Sequence, residues 1–113
     1  MNNMTGHKNL KELCDIATEA HTRFQQEIKE YDPIVGVSQG MRDSGFPADV
    51  MTIDCLKNGK RIILVLHDGK PDSISYQLAW RDKDPEDEFT ELAFGELTAD
   101  SLFDWMKSYL AHD

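Results

Sequence analysis

The chain has few of the features that mark a protein for export or for a bilayer. Its two cysteines, Cys14 and Cys55, make no disulfide framework, and Met1-Asn2-Asn3-Met4-Thr5-Gly6 lacks the apolar stretch of an export signal. Two reduced thiols in a cytoplasmic protein are the expectation. The longest unbroken apolar run, Ile62 to Leu66, is far too short to cross a membrane. Basic residues are also scarce, with 12 Lys+Arg against 21 Asp+Glu and a net charge of -9. A surface of that sign repels phosphate backbones, so direct nucleic-acid binding is not expected, whereas basic partners would be attracted. With 113 residues, 40% of them hydrophobic, there is material for one core and no second domain. Residues 1–8 are expected to form a disordered tail and residues 9–113 a single domain.

Metal and nucleotide motifs are missing too. His7, His21, His67, His112, Cys14 and Cys55 show no C-x-x-C or H-x-x-x-H spacing. Cys14 and His21 share one helix face, where a packed thiol and a hydrogen-bonded imidazole are the simpler reading. No lysine follows the glycines of the segment 36–45 as a phosphate cradle needs. Asp82, Asp84, Glu86 and Asp87 begin like a calcium loop, but Asp87 stands where the turn glycine belongs and Ala93 where a bidentate carboxylate belongs. No metal and no cofactor are expected.

What is present reads as an α+β domain. Leu10, Leu13, Cys14, Ala17, His21, Phe24, Ile28 and Tyr31 recur at three- and four-residue steps, predicting a helix over 9–31 that Asp32-Pro33 ends. Residues 34–48 are glycine-rich and irregular, with a short extended piece at Ile34 to Val37. Residues 50–57 and 60–67 flank Asn58-Gly59, which suits a two-residue type I′ hairpin. That turn places Ile53 opposite Leu64 and Met51 opposite Leu66 on one face, and Thr52 opposite Val65 on the other. Ile74, Tyr76, Leu78 and Trp80 alternate with polar or small residues as a third strand with one buried face, and residues 88–94 suit a fourth whose register is open. Thr98 can cap a final helix with Asp100 in its first turn. The predicted fold is a four-stranded antiparallel meander with N- and C-terminal helices packed on one face, in the order α-β-β-β-β-α.

Three groups of residues are candidates for function. Residues 73–113 hold ten acidic and three basic side chains, densest at Asp82, Asp84, Glu86, Asp87 and Glu88, and this run with Trp105 is the candidate partner-binding surface. The half-apolar outer hairpin face, Val50, Thr52, Leu56, Ile63 and Val65, is the candidate for self-pairing, and a homodimer is expected from it. The irregular loop supplies Ser38, Arg42 and Asp43. Gly36-Val37-Ser38-Gln39-Gly40 matches the G-x-S-x-G pattern of serine hydrolases, but glycine and proline interrupt the segment where a helix should follow, so no catalytic role is assigned. The function expected is that of a small acidic interaction module without catalytic activity, binding itself or a basic protein in an immunity-, chaperone- or inhibitor-like role. The alternative is a small-ligand binder or enzyme built on loop 36–47.

Overall fold

The computed structural model describes residues 3–111, with side chains from residue 9 onward. Helix α1 spans Asn3–Glu27, so it begins within the stretch predicted as a tail, of which residues 1 and 2 lie outside the described residues. It buries Leu13, Ala17, Ala20 and Phe24, the three- and four-residue steps of its apolar stripe. The helix stops four residues before the predicted end. Tyr31 instead turns into the core, with the Lys57 ammonium 4.8 Å from its ring centre, and His21 Nε2 donates to the Pro33 carbonyl at 2.7 Å.

Five strands follow: β1 (Ile34–Ser38), β2 (Ala48–Cys55), β3 (Lys60–His67), β4 (Ser73–Trp80) and β5 (Thr90–Ala93). All neighbours are antiparallel in the order β1-β2-β3-β4-β5. The meander is as predicted, but the sheet has five strands where four were expected. The extended piece at Ile34 pairs fully with β2, Val35 opposite Ile53 and Val37 opposite Met51. A single helical turn, α2 (Gly40–Asp43), joins the two.

The β2–β3 hairpin differs from its predicted register by two residues. Ile53 lies opposite Ile62, Met51 opposite Leu64 and Thr52 opposite Ile63, because the connection is the four-residue loop 56–59. Only Gly59 there has positive φ, at 76°, and a type I′ turn needs two such residues. Asn58 is recruited elsewhere: its Nδ2 donates to the Leu110 carbonyl at 2.7 Å and ties the hairpin end to the C-terminal helix. Since side chains alternate with period two, a two-residue slip leaves every face assignment intact.

Met51, Ile53, Cys55, Ile62, Leu64, Leu66 and Ile74 form the inner face. Over it lie α1 and α3 (Ala99–Trp105), the latter widening into a π-helical turn at Met106–Leu110. Phe24 meets Phe103 edge-on at 6.4 Å, and Arg23 of α1 pairs with Asp100 at the start of α3. Thr98 caps α3 as predicted, its hydroxyl accepting from Ser101 N at 3.1 Å while Ser101 Oγ accepts from Thr98 N at 2.9 Å. Thr90 opposite Tyr76 and Leu92 opposite Ile74 fix the register of β5 with Thr90 and Leu92 on the inner face.

Strand β4 departs from a simple in-and-out pattern. Leu78 and Trp80 share the inner face with Ile74 and Tyr76 yet are 46% and 42% exposed. Ser75, Gln77 and Ala79, on the outer face, are buried. Something covers the side of the sheet that was expected to stay open.

Candidate functional site: a cleft beneath the acidic loop

The cover is loop 81–89, the acidic run itself. It leaves β4 and folds back over the outer face, where Gln77 holds it with one side-chain amide. Gln77 Nε2 donates to the carbonyls of Glu86 (3.1 Å) and Glu88 (2.9 Å), and Gln77 Oε1 accepts from Glu86 N at 2.9 Å. The side chain thus acts as a piece of backbone, giving the loop the bonds that a longer β5 would otherwise have supplied. Phe89 packs beside a small outer core of Ala48, Ile63, Val65 and Ala79.

Between loop and sheet lies a cleft of about 450 Å³. Its floor is Val50, Thr52, Ile63 and Val65, Phe89 and Pro85 form the loop side, and Met41 of α2 closes the opposite side. Arg61, His67, Ser75, Lys83 and Asp87 supply its polar groups. The volume falls within the range of about 300–1,000 Å³ usual for small-molecule sites. It would equally take one or two apolar side chains.

Two ion clusters stiffen the cleft at its ends. Arg61 forks onto Asp54 (2.6 and 2.9 Å), and Arg81 reaches the same carboxylate at 3.4 Å. The bond from Arg61 is the main cause holding the Asp54 carboxyl below its usual range. At the other end Arg42 makes two forks, to Asp49 (3.0 and 3.0 Å) and to Asp68 (2.9 and 2.9 Å). Asp49 is only 2% exposed, and the guanidinium, bonded first by Asp68 and then by Asp49, holds its proton more firmly than an ordinary arginine. With Asp68 N donating to the Pro47 carbonyl at 2.9 Å, this pins the irregular loop to the far end of β3.

The structure gathers four of the five outer-face candidates, Val50, Thr52, Ile63 and Val65, in the cleft floor. Leu56 is apart from them, 54% exposed in the hairpin loop. Asp82, Asp84, Glu86, Asp87 and Glu88 are exposed along the covering loop, and Asp87 also lines the cleft. Trp105 lies across the sheet from them, its ring 4.5 Å from that of Tyr76. Arg42 is committed to its two aspartates, and Asp43 is exposed. Ser38 is followed by the turn of α2, the helical element whose absence was predicted, but that helix has only four residues. Ser38 Oγ accepts from Gly40 N at 3.2 Å, and among the described residues no imidazole is bonded to it. No group of three metal-ligating side chains is found among the described residues, and His112 lies outside them. Cys14 and Cys55 are free, and burial, reinforced by Asp15, pushes the Cys14 thiol up.

Gln77, Met41 and Phe89 were not among the predicted site residues. The one available signal was a glutamine on the outer side of an alternating strand, and its partners nine and eleven residues away left no periodic trace. No family model, no curated protein and no solved structure matches this chain.

Proposed function

We propose that this protein is a non-catalytic binding module that takes a segment of a basic protein partner, seating an apolar side chain of that segment in the cleft. The observation that carries this reading is an adjacency. The apolar floor at Val50, Ile63 and Val65 and the acidic run at Asp82 to Glu88, separate features of the sequence, are neighbouring parts of one surface. The acid would steer a cationic segment toward the sheet and raise its association rate, while the buried anchor would set how long it stays. A module of this kind, reduced and cytoplasmic, suits an immunity-, chaperone- or inhibitor-like role.

A second reading has one observation in its favour. The cleft volume and the presence of Lys83 and Arg61 in its lining suit a small amphipathic ligand, with Met41 as the contribution of loop 36–47. Homodimerisation through the outer face would compete with either occupant for the same floor.

A library of random linear peptides displayed on phage and selected on the immobilised protein separates these readings. Selected peptides should combine Lys or Arg with an aliphatic or aromatic anchor. Changing Asp84, Glu86 and Asp87 together to lysine should slow their association about tenfold or more at low salt, a loss that added salt would also produce in the wild type. Selection of uncharged or acidic peptides, or an unchanged association rate in the triple variant, would refute the proposal.

A further inference from the structure

The free edge of β1 offers a second surface, one strand beyond the β2 part of the cleft floor. Among the described residues β1 pairs with β2 alone, so every second backbone amide and carbonyl of Ile34–Ser38 faces outward. Natural edge strands are usually protected by charge, proline, a bulge or brevity. The other edge follows that rule: β5 has four residues, and its Glu91 is paired with Lys70 at 2.7 Å. The β1 edge does not. Ile34-Val35-Gly36-Val37-Ser38 has no charged residue and no proline, its pairing with β2 runs without a bulge, and Ile34 and Val37 are 51% and 45% exposed. From residue 33 to residue 41 there is no charged side chain at all in a protein of net charge -9.

Gly36 leaves the middle of this edge open. A glycine inside a strand costs conformational entropy and normally marks a bulge, a bend or the close approach of another backbone. Its φ is not positive, the strand has no bulge, and a Cβ there would meet Thr52 Oγ1 at 3.7 Å, an ordinary contact. Among the described residues nothing requires glycine at this position, and Gly36 is exposed, so a strand arriving at this edge meets no side chain there.

We infer that β1 pairs antiparallel with β1 of a second copy of this chain about a two-fold axis at Gly36, joining two five-stranded sheets into one of ten strands. Such a pair sets Val35 opposite Val37 and Ile34 opposite Ser38, so no like charges meet. The charge distribution favours this edge for a second copy: residues 33–41 carry no charge, whereas the acidic run lies over the outer face, so pairing edge to edge brings two neutral segments together. The residual repulsion between two acidic molecules makes this dimer tighten as salt rises, opposite to the response of the cleft toward a basic segment. The two proposals therefore fail separately.

Sedimentation velocity at low and high salt, from the micromolar to the sub-millimolar range, tests the inference. The wild type should move from monomer toward dimer mass with concentration, further at high salt, and the Ile34→Lys/Val37→Lys variant should remain monomeric with an unchanged circular-dichroism spectrum. Hydrogen exchange of the wild type at low and high concentration reads the same contact without a mutation, and added protection should be confined to residues 34–38. A wild type that stays monomeric, a dimer that survives in the folded variant, or protection gained elsewhere but not in β1 would overturn it.

Discussion

Replacing Gln77 should release the acidic loop while leaving the sheet folded. Gln77→Leu keeps most of the side-chain volume and deletes three hydrogen bonds, two donated to the Glu86 and Glu88 carbonyls and one accepted from Glu86 N. At about 1 kcal/mol net for each bond the upper limit is about 3 kcal/mol. Glu86 and Glu88 are exposed, however, so water replaces part of what they lose. The expected cost is about 1–2 kcal/mol, or about 5–10 °C in Tm for a domain of this size. Most of that loss is local, and the Glu86 amide should exchange about 5–30 times faster. Loosening the loop also uncovers Ile63, Val65 and Ala79, which should raise binding of a hydrophobic dye. Gln77→Glu refines the test. It keeps the shape, loses both donated bonds and adds a charge beside Glu86, Asp87 and Glu88, so it should be at least as disruptive at pH 7. It should recover in part in acid, where the protonated carboxyl again donates one of the two bonds. If Glu86 exchange and Tm are unchanged in Gln77→Leu, the loop is held by something other than this amide.

Two other substitutions probe the ends of the cleft. Arg42→Ala removes the cation from Asp49, whose side chain is 2% exposed, and should cost about 2–4 kcal/mol in urea unfolding; Arg42→Lys should not restore it, because an ammonium cannot fork onto two carboxylates, and a cost below about 0.5 kcal/mol would refute the role. Asp54, whose carboxyl is held low chiefly by Arg61, binds its proton less readily folded than unfolded, so its contribution is complete above the ordinary carboxylate value of about 4 and is lost as pH falls through its lower native value. Asp54→Asn should therefore flatten the stability profile in that acid window, and a parallel profile would show that the pair does not contribute.

How much was legible in the sequence follows from how local each signal is. The α1 stripe as far as Phe24, the Thr98 cap and the inner face of the hairpin depend on residues within a turn or a strand of one another, and these are found where the spacing put them. Even the mistaken hairpin turn did no harm, because period-two alternation makes faces insensitive to a two-residue slip. The extended piece at Ile34 to Val37 was predicted but not counted as a strand of the sheet, because a five-residue edge with glycine at its centre has weak alternation and only its pairing with β2 makes it one. The site was least legible. Arg42 meets partners seven and 26 residues away, and Gln77 meets a loop nine to eleven residues further on. Composition identified the acid and the apolar face, but only the return of the chain over its own sheet brings them together.

That return has a consequence for binding. Five carboxylates between Asp82 and Glu88, opposed within the run by Lys83 alone, repel one another and favour an extended loop lifted off the sheet. A neutral amide and the packing of Phe89 hold it down. A cationic segment that neutralises the run removes the repulsion working against Gln77, and by linkage a tighter clamp must favour that segment to the same extent. Protection of the Glu86 amide should therefore rise when a selected basic peptide binds, and rise partway with salt alone. A loop already rigid through the ion clusters would show neither change, and the coupling between steering charge and cleft closure would then be absent.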